Sequence, residues 1–167
     1  TDTLRLWGHD NFGEDLIINV YNGGVYYWDA TNGVSSRAVP LYDLAGSSNA
    51  PTVAAKIIVS DVDRHVIAFG CNPLGSSVQD PLLIRFSDQE NAADWTPRTT
   101  NTAGDLLVGS GSRILTAIET RQQILVFTDV SLHAMQYLGP PFTFGITMLS
   151  ENVTTASPNA VAAIEDN

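Results

Sequence analysis

The densest group of ionisable side chains lies in Trp7-Gly8-His9-Asp10-Asn11-Phe12-Gly13-Glu14-Asp15, which offers one imidazole and three carboxylates. Those are metal-ligand types. Their spacing matches no zinc, EF-hand or HExxH pattern, because none of those frames places a histidine and carboxylates in this order. The structural alternative has Trp7 and Phe12 pack inward while the acids decorate a loop before the first strand. Asp61, Asp63, Arg64 and His65 form a second group. A hairpin turn explains them, since Asp side chains accept turn N–H groups and a surface ion pair contributes little. His133 alternates with apolar residues and reads as a solvent-facing or satisfied polar residue. Gly109-Ser110-Gly111-Ser112 lacks the Lys-Ser/Thr ending of a phosphate loop and reads as a turn. No nucleophile elbow precedes a Ser/His/Asp set. Paired acids for glycoside hydrolysis are defined by a separation in space, and nothing in the order of residues selects a pair.

Around these residues the chain repeats one pattern: an apolar segment of β-formers, a short polar turn and a second apolar segment. It occurs as 16–20 with 25–29, as 56–60 with 65–70, and as 113–118 with 123–129. Val, Ile, Tyr and Phe dominate and turn formers interrupt, so each unit reads as a β-hairpin. Asn22-Gly23 suits a type I′ turn, where both central residues need positive φ. The runs are nearly continuous in apolar residues, which fits strands covered on both faces. Segments 81–88 and 131–138 extend the second and third units, and a fourth unit is expected to start near 157. Val25, Val66 and Ile124 recur 41 and 58 residues apart, close to the ~40–50 residues of a propeller blade.

The expected fold is therefore all-β, with β-propeller-like antiparallel blades near 4–50, 51–100 and 104–150, forming an incomplete part of a larger propeller. A β-sandwich is the alternative, because it too has many short strands between turns. A chain of 167 residues is enough for one domain with a core. It opens at Thr1 without Met and ends after an apolar run, so we expect a processed piece or a fragment of a longer chain. Eight Lys and Arg against 18 Asp and Glu give a net charge of −10, which disfavours binding to nucleic-acid phosphates or anionic membranes. The single Cys71 allows no internal disulfide and sits in an apolar run typical of a buried free thiol. No apolar run approaches the ~20 residues that span a bilayer.

Ser87-Asp88 followed by Asp94-Trp95 resembles the Asp-box turn of sialidase-type propellers, although the spacing departs from it; we expect a blade turn with Trp95 in a core. Sialidase chemistry also needs clustered arginines, and Arg5, Arg37, Arg64, Arg85 and Arg98 are scattered.

Segments along the whole chain resemble structural proteins of the tail hub or nozzle (tail tubular) class of tailed bacteriophages. They are Asp10-Asn11-Phe12-Gly13-Glu14-Asp15-Leu16-Ile17, Val25-Tyr26-Tyr27-Trp28-Asp29, Arg64-His65-Val66-Ile67-Ala68-Phe69-Gly70, Leu83-Ile84-Arg85-Phe86-Ser87-Asp88, Asp94-Trp95-Thr96-Pro97, and Phe127-Thr128-Asp129 with Tyr137-Leu138-Gly139-Pro140-Pro141-Phe142. The resemblance implies a non-enzymatic virion component made in the host cytoplasm. Its partners would be copies of itself in a ring, other tail proteins, and genome DNA that passes without specific binding. It implies no catalytic, cofactor-binding or metal residues and no membrane insertion. A carbohydrate-binding or glycan-processing propeller is the alternative function, and it would present Trp28, Tyr26 or Tyr137 to solvent beside carboxylates. A cellular protein-interaction propeller would act as a monomer.

Overall fold

A computed structural model of the chain describes residues 5–164. Their β-branched and aromatic runs form twelve strands in three four-stranded antiparallel sheets, each hydrogen-bonded in chain order. The first sheet is β1 (Trp7–Phe12), β2 (Asp15–Val20), β3 (Val25–Trp28) and β4 (Val39–Pro40). The second is β5 (Lys56–Val59), β6 (Val66–Phe69), β7 (Leu83–Phe86) and β8 (Gly104–Leu107). The third is β9 (Ile114–Glu119), β10 (Ile124–Thr128), β11 (Ser131–Gly139) and β12 (Thr143–Glu151). Two single-turn 3-10 segments, Ala30–Asn32 and Leu41–Asp43, are the helical elements among the described residues. The fold is thus all-β and built of repeated antiparallel hairpins, but the three sheets do not close into a ring.

All three expected hairpins form, as β2 with β3, β5 with β6 and β9 with β10. Five local expectations are corrected. The segment before the first expected hairpin is strand β1, not a loop; its alternation is hidden because Gly8 and Asp10, not apolar residues, share the covered side of the sheet with Phe12. Trp7 points outward and is exposed, while Phe12 packs on the core as expected. Residues Gly104–Leu107 belong to the second sheet, where they pair with β7, so that sheet continues beyond the boundary expected near 100. The Asn22-Gly23 turn is not type I′. Asn22 takes φ 51°, but Gly23 stays outside the left-handed region and bridges Ala54, whose N–H donates to the Gly23 carbonyl. Strand β12 was not anticipated, and the expected fourth unit near 157 forms no strand among the described residues. Thr1 and residues 165–167 lie outside the described residues.

The second sheet sits between the other two, and its side chains feed two cores in alternation. Ile57, Val59, Val66, Ala68 and Leu83 meet Ile17 and Val25 of the first sheet, with Leu41 and Trp95. Ile58, Ile67, Phe69, Ile84 and Phe86 meet Ala117, Ile124, Val126, Met135 and Phe144 of the third. All four residues of β6 and all four of β7 are buried. This is the physical cause of the near-continuous apolar runs: a strand covered on both faces has no solvent side to place polar residues on.

The polar exception on β7 is Arg85, 3% exposed. Its Nη1 donates to the Asn72 carbonyl at 3.2 Å, and its Nη2 donates to the Asn49 and Trp95 carbonyls at 2.6 and 3.3 Å. The guanidinium also lies 5.9 Å from the centroid of the Trp95 ring. One side chain thus holds the segments that lead into β5, leave β6 and leave β7. Trp95 is buried in the first core, and its indole N–H donates to the Ala92 carbonyl at 2.8 Å. Cys71 is a buried free thiol whose pKa is pushed up to about 12 by burial.

Replacing Arg85 leaves three loop carbonyls without their donor in a nearly dry site. We expect Arg85→Met to lose about 3 kcal/mol of unfolding free energy, measured by urea denaturation. Arg85→Lys should recover little, since a point-charge ammonium cannot span three carbonyls. Wild-type stability in Arg85→Met would show that the clamp is dispensable.

Candidate functional site

The first strands of the three sheets, β1, β5 and β9, run side by side in one direction. Gly8 lies beside the Lys56 ammonium, the Val59 N–H donates to Asp10 Oδ2 at 2.9 Å, and the Asp61 N–H donates to Glu119 Oε1 at 3.0 Å. Ala55 and Ile114 share a pocket at the opposite end. The sheets therefore fan out from a common inner edge. Residues 158–164 follow this edge in the same direction, with Pro158 and Asn159 beside Trp7, Gly8 and Lys56, and Ala163 and Ile164 beside Asp61 and Glu119.

An open groove of about 640 Å³ lies at the far end of the inner edge, lined by Asp61, Val62, Glu119, Thr120, Arg121, Gln122, Gln123, Ala163 and Ile164. Burial raises the Glu119 pKa to about 7; the Asp61 N–H opposes the rise, and the carboxylates of Asp61, Asp10 and Asp63 add to it. Asp63 is raised by burial as well, against the Ser60 hydroxyl that bonds it at 3.4 Å. Acids from all three sheets thus meet at one end of the inner strands. Sequence reasoning had Asp10 and Asp61 in separate loops and did not single out Glu119; no local signal marks it, because its partners come from two other sheets.

A second polar arrangement lies at the seam of the second and third sheets. His65 is fully buried against Phe86, Tyr137 and Phe144, with ring centroids 6.3, 5.9 and 5.1 Å away. The Thr102 hydroxyl donates to Asp88 Oδ1 at 2.7 Å, and Asp88 Oδ1 also accepts the Thr102 N–H at 2.8 Å. With its proton committed there, Thr102 Oγ1 accepts from His65 Nε2 at 3.0 Å and from the Gln89 N–H at 2.9 Å. The proton of neutral His65 therefore sits on Nε2. Its Nδ1 is buried with no partner. Desolvation pulls the imidazole down to a pKa of about 4, only partly offset by the Asp88 carboxylate. This Asp88–Thr102–His65 chain has the form of a relay, but the hydroxyl is a saturated link, and the bonds described join the chain to the Gln89 N–H and to no nucleophile.

The remaining candidates are held apart. On β1, His9 is exposed on the outward face, whereas Asp10 turns inward to Val59. Glu14 lies exposed in the β1–β2 turn, and Asp15 accepts the Ala30 N–H at 2.9 Å and the Tyr27 hydroxyl. Among the described residues, no group of three His, Cys, Asp or Glu side chains is arranged to hold a metal ion. Arg64 caps its turn with φ 53° and lies over the Phe12 ring at 5.7 Å. His133 is buried and bonded to Ser131 Oγ at 2.9 Å, which makes it a satisfied polar residue. The serine of that pair is itself buried and bonded to Thr128 Oγ1 at 2.7 Å. Ser112 N–H donates to Asp129 Oδ1 at 2.8 Å, so the glycine-rich stretch is tied down as a turn. The arginines do not gather: Arg85 is spent on carbonyls, and Arg98 pairs with Asp94 at 2.7 Å on the surface.

The fold and these sites define the chain as an all-β protein of three blade-like sheets sharing an inner edge. No protein-family model and no curated protein matches it.

His65 and Glu119 oppose each other as pH falls. His65 has a folded pKa near 4 against an ordinary 6.5, so the unfolded chain binds more protons and stability drops through this window, by about 2 kcal/mol from pH 7 to pH 5. Glu119 has a folded pKa near 7 against an ordinary 4.5, so the folded chain binds more protons and gains stability over the same interval. We expect a shallow dependence in the wild type and a steeper loss toward pH 5 in Glu119→Gln, read from urea midpoints. Parallel profiles for the two proteins would contradict this assignment.

Proposed function

We propose that the chain is a non-enzymatic structural module of a bacteriophage tail, of the hub or nozzle class, whose role lies in assembly around a DNA path. The observation that carries this reading is the inner edge, where β1, β5 and β9 run side by side and Asp10, Asp61, Asp63 and Glu119 converge at one end. An acidic lining repels phosphate, which suits a conduit whose cargo must pass without adhering. The resemblance in sequence to tail proteins takes in Asp10 of this edge and otherwise falls on the strands and loops stacked behind it. Asp10 accepts the Val59 N–H, Asp63 the Ser60 hydroxyl and Glu119 the Asp61 N–H, while Asp88, Thr102 and His65 bond one another, and the contacts described join no nucleophile to either group.

The glycan reading draws less support. Trp28 and Tyr26 are half-buried on the outward face of the first sheet, and the Trp28 indole N–H donates to the Ser36 carbonyl at 3.1 Å. Tyr137, 38% exposed, packs its ring on His65 and Phe144. No pair of carboxylates flanks any of the three among the contacts described.

Two measurements test the proposal. Mass spectrometry of purified virions of the phage that encodes the chain should find it, and gold-labelled antibody should mark the distal end of the tail. Its absence from virions would overturn the tail assignment. Hydrolysis of a glycan by the purified chain would replace that assignment with the alternative.

A further inference from the structure

The chain contains two Asn-Gly pairs, Asn22-Gly23 and Asn32-Gly33. Such a pair carries a reaction of its own, since glycine has no side chain to hinder attack of its backbone nitrogen on the asparagine carboxamide. The structure separates the two. The Gly23 N–H donates to the Val20 carbonyl at 2.8 Å, and the Gly23 carbonyl accepts the Ala54 N–H at 3.1 Å. Asn22 Oδ1 accepts the Gln79 side-chain N–H at 3.0 Å. Ala54 precedes β5 and Gln79 follows β6, so this pair cannot rotate without loosening the contact between the first and second sheets.

Asn32-Gly33 lies at the end of the 3-10 turn Ala30–Asn32, in the connection from β3 to β4. Asn32 is exposed, and a Cβ placed on Gly33 would meet nothing within 4 Å. The Gly33 N–H is held to the Ala30 carbonyl at 3.1 Å within a single turn. The Ser36 hydroxyl donates to the Asn32 carbonyl at 2.7 Å. That carbonyl belongs to the same peptide unit as the Gly33 N–H. The bond therefore draws electron density toward oxygen and eases loss of the proton from nitrogen. The Ser36 N–H donates to the Gly33 carbonyl at 3.1 Å, which keeps the serine in place.

We propose that Asn32 is a site of self-modification in the folded chain. Hydroxide takes the Gly33 N–H proton, and the nitrogen attacks Asn32 Cγ to close a succinimide ring. The carboxamide C–N bond breaks, and its nitrogen takes a proton from water and leaves as ammonia. A second water then opens the ring at either carbonyl, giving aspartate or isoaspartate and one added negative charge. Residues three apart in a 3-10 turn lie on one side. The new carboxylate thus faces Asp29, which caps the turn by accepting the Thr31 N–H at 2.8 Å. Repulsion between the two loosens the connection that the Trp28 indole ties down through the Ser36 carbonyl. The reaction uses only this loop and water, so it is independent of the tail reading.

The folded chain, held at mildly alkaline pH and sampled over days, should turn acidic at Asn32. Fragmentation mass spectrometry of the tryptic peptide 6–37, which holds both pairs, reads each position. Labelling by an isoaspartyl methyltransferase should rise in parallel. Asn22 should react at least about 100-fold more slowly in the folded chain, given the bonds it must break, and as fast as Asn32 once urea has unfolded the protein. Ser36→Ala should slow the reaction at Asn32 about threefold and Ser36→Thr should restore it, because the group removed is the hydroxyl that polarises the peptide. Asn32→Gln should leave position 32 unmodified over the same days. An Asn32 that stays intact in the folded chain while it reacts in urea overturns the proposal. So does equal reaction at Asn22 and Asn32 in the folded chain, which would mean that the fold selects neither. An unchanged rate in Ser36→Ala overturns the role given to the hydroxyl.

Discussion

The constraint on which the rest of the structure depends is that the second sheet is covered on both faces. Along β6, Val66 and Ala68 point into one core while Ile67 and Phe69 point into the other. A slip of one residue in its pairing with β5 or β7 would exchange those sets, placing Phe69 where the first core accommodates Ala68. Both cores thus fix the same register, and the first and third sheets are positioned by reference to the middle one. The shared inner edge follows, since stacking the sheets through β6 and β7 brings β1, β5 and β9 side by side.

The buried polar groups serve this arrangement at the ends of the middle sheet. Arg85 gathers three carbonyls where the loops of the first core converge. The Ser87 hydroxyl accepts the Val66 N–H at 3.0 Å and donates to the Asp88 carbonyl at 3.0 Å, closing the end of the β6–β7 pair. Asp88 then orders Thr102, and Thr102 orders His65. A leftover lone pair on His65 Nδ1 and a crowded carboxylate at Glu119 are two places among the described residues where burial outruns partnering. They titrate in overlapping windows with opposite signs.

Much of the fold was legible in the sequence, and the reason is local. The hairpins at 16–29, 56–70 and 113–129 announce themselves because Ile, Val, Tyr and Phe flank short polar turns; their lack of alternation pointed to coverage on both faces, which holds for 56–70, whereas 16–29 and β10 are buried on one face and half-buried on the other. Trp95 in a core and Cys71 as a buried thiol were likewise readable. Strand β1 was not, because Gly8 and Asp10 occupy its covered positions and Asp10 is retained there for the Val59 N–H, a partner 49 residues away. Strand β12 ends in residues exposed to solvent, so it lacks the apolar continuity that marked the others. The acidic end of the inner edge was invisible for a similar reason: its members come from three sheets, and their proximity is a product of the stacking. The tail resemblance and the absence of a recognised catalytic motif are sequence observations, and the geometry adds the inner edge and its charge.

The most direct measurement of this account is amide hydrogen exchange by NMR. With the second sheet as the shared layer, the amides of β6 and β7 should exchange only through global unfolding, with protection equal to the full unfolding free energy. Those of β4 and of the outer half of β12 should exchange by local opening, orders of magnitude faster. Protection in β6 and β7 no greater than in β4, or a first sheet that outlasts the second, would contradict the claim that the middle sheet holds the other two in place.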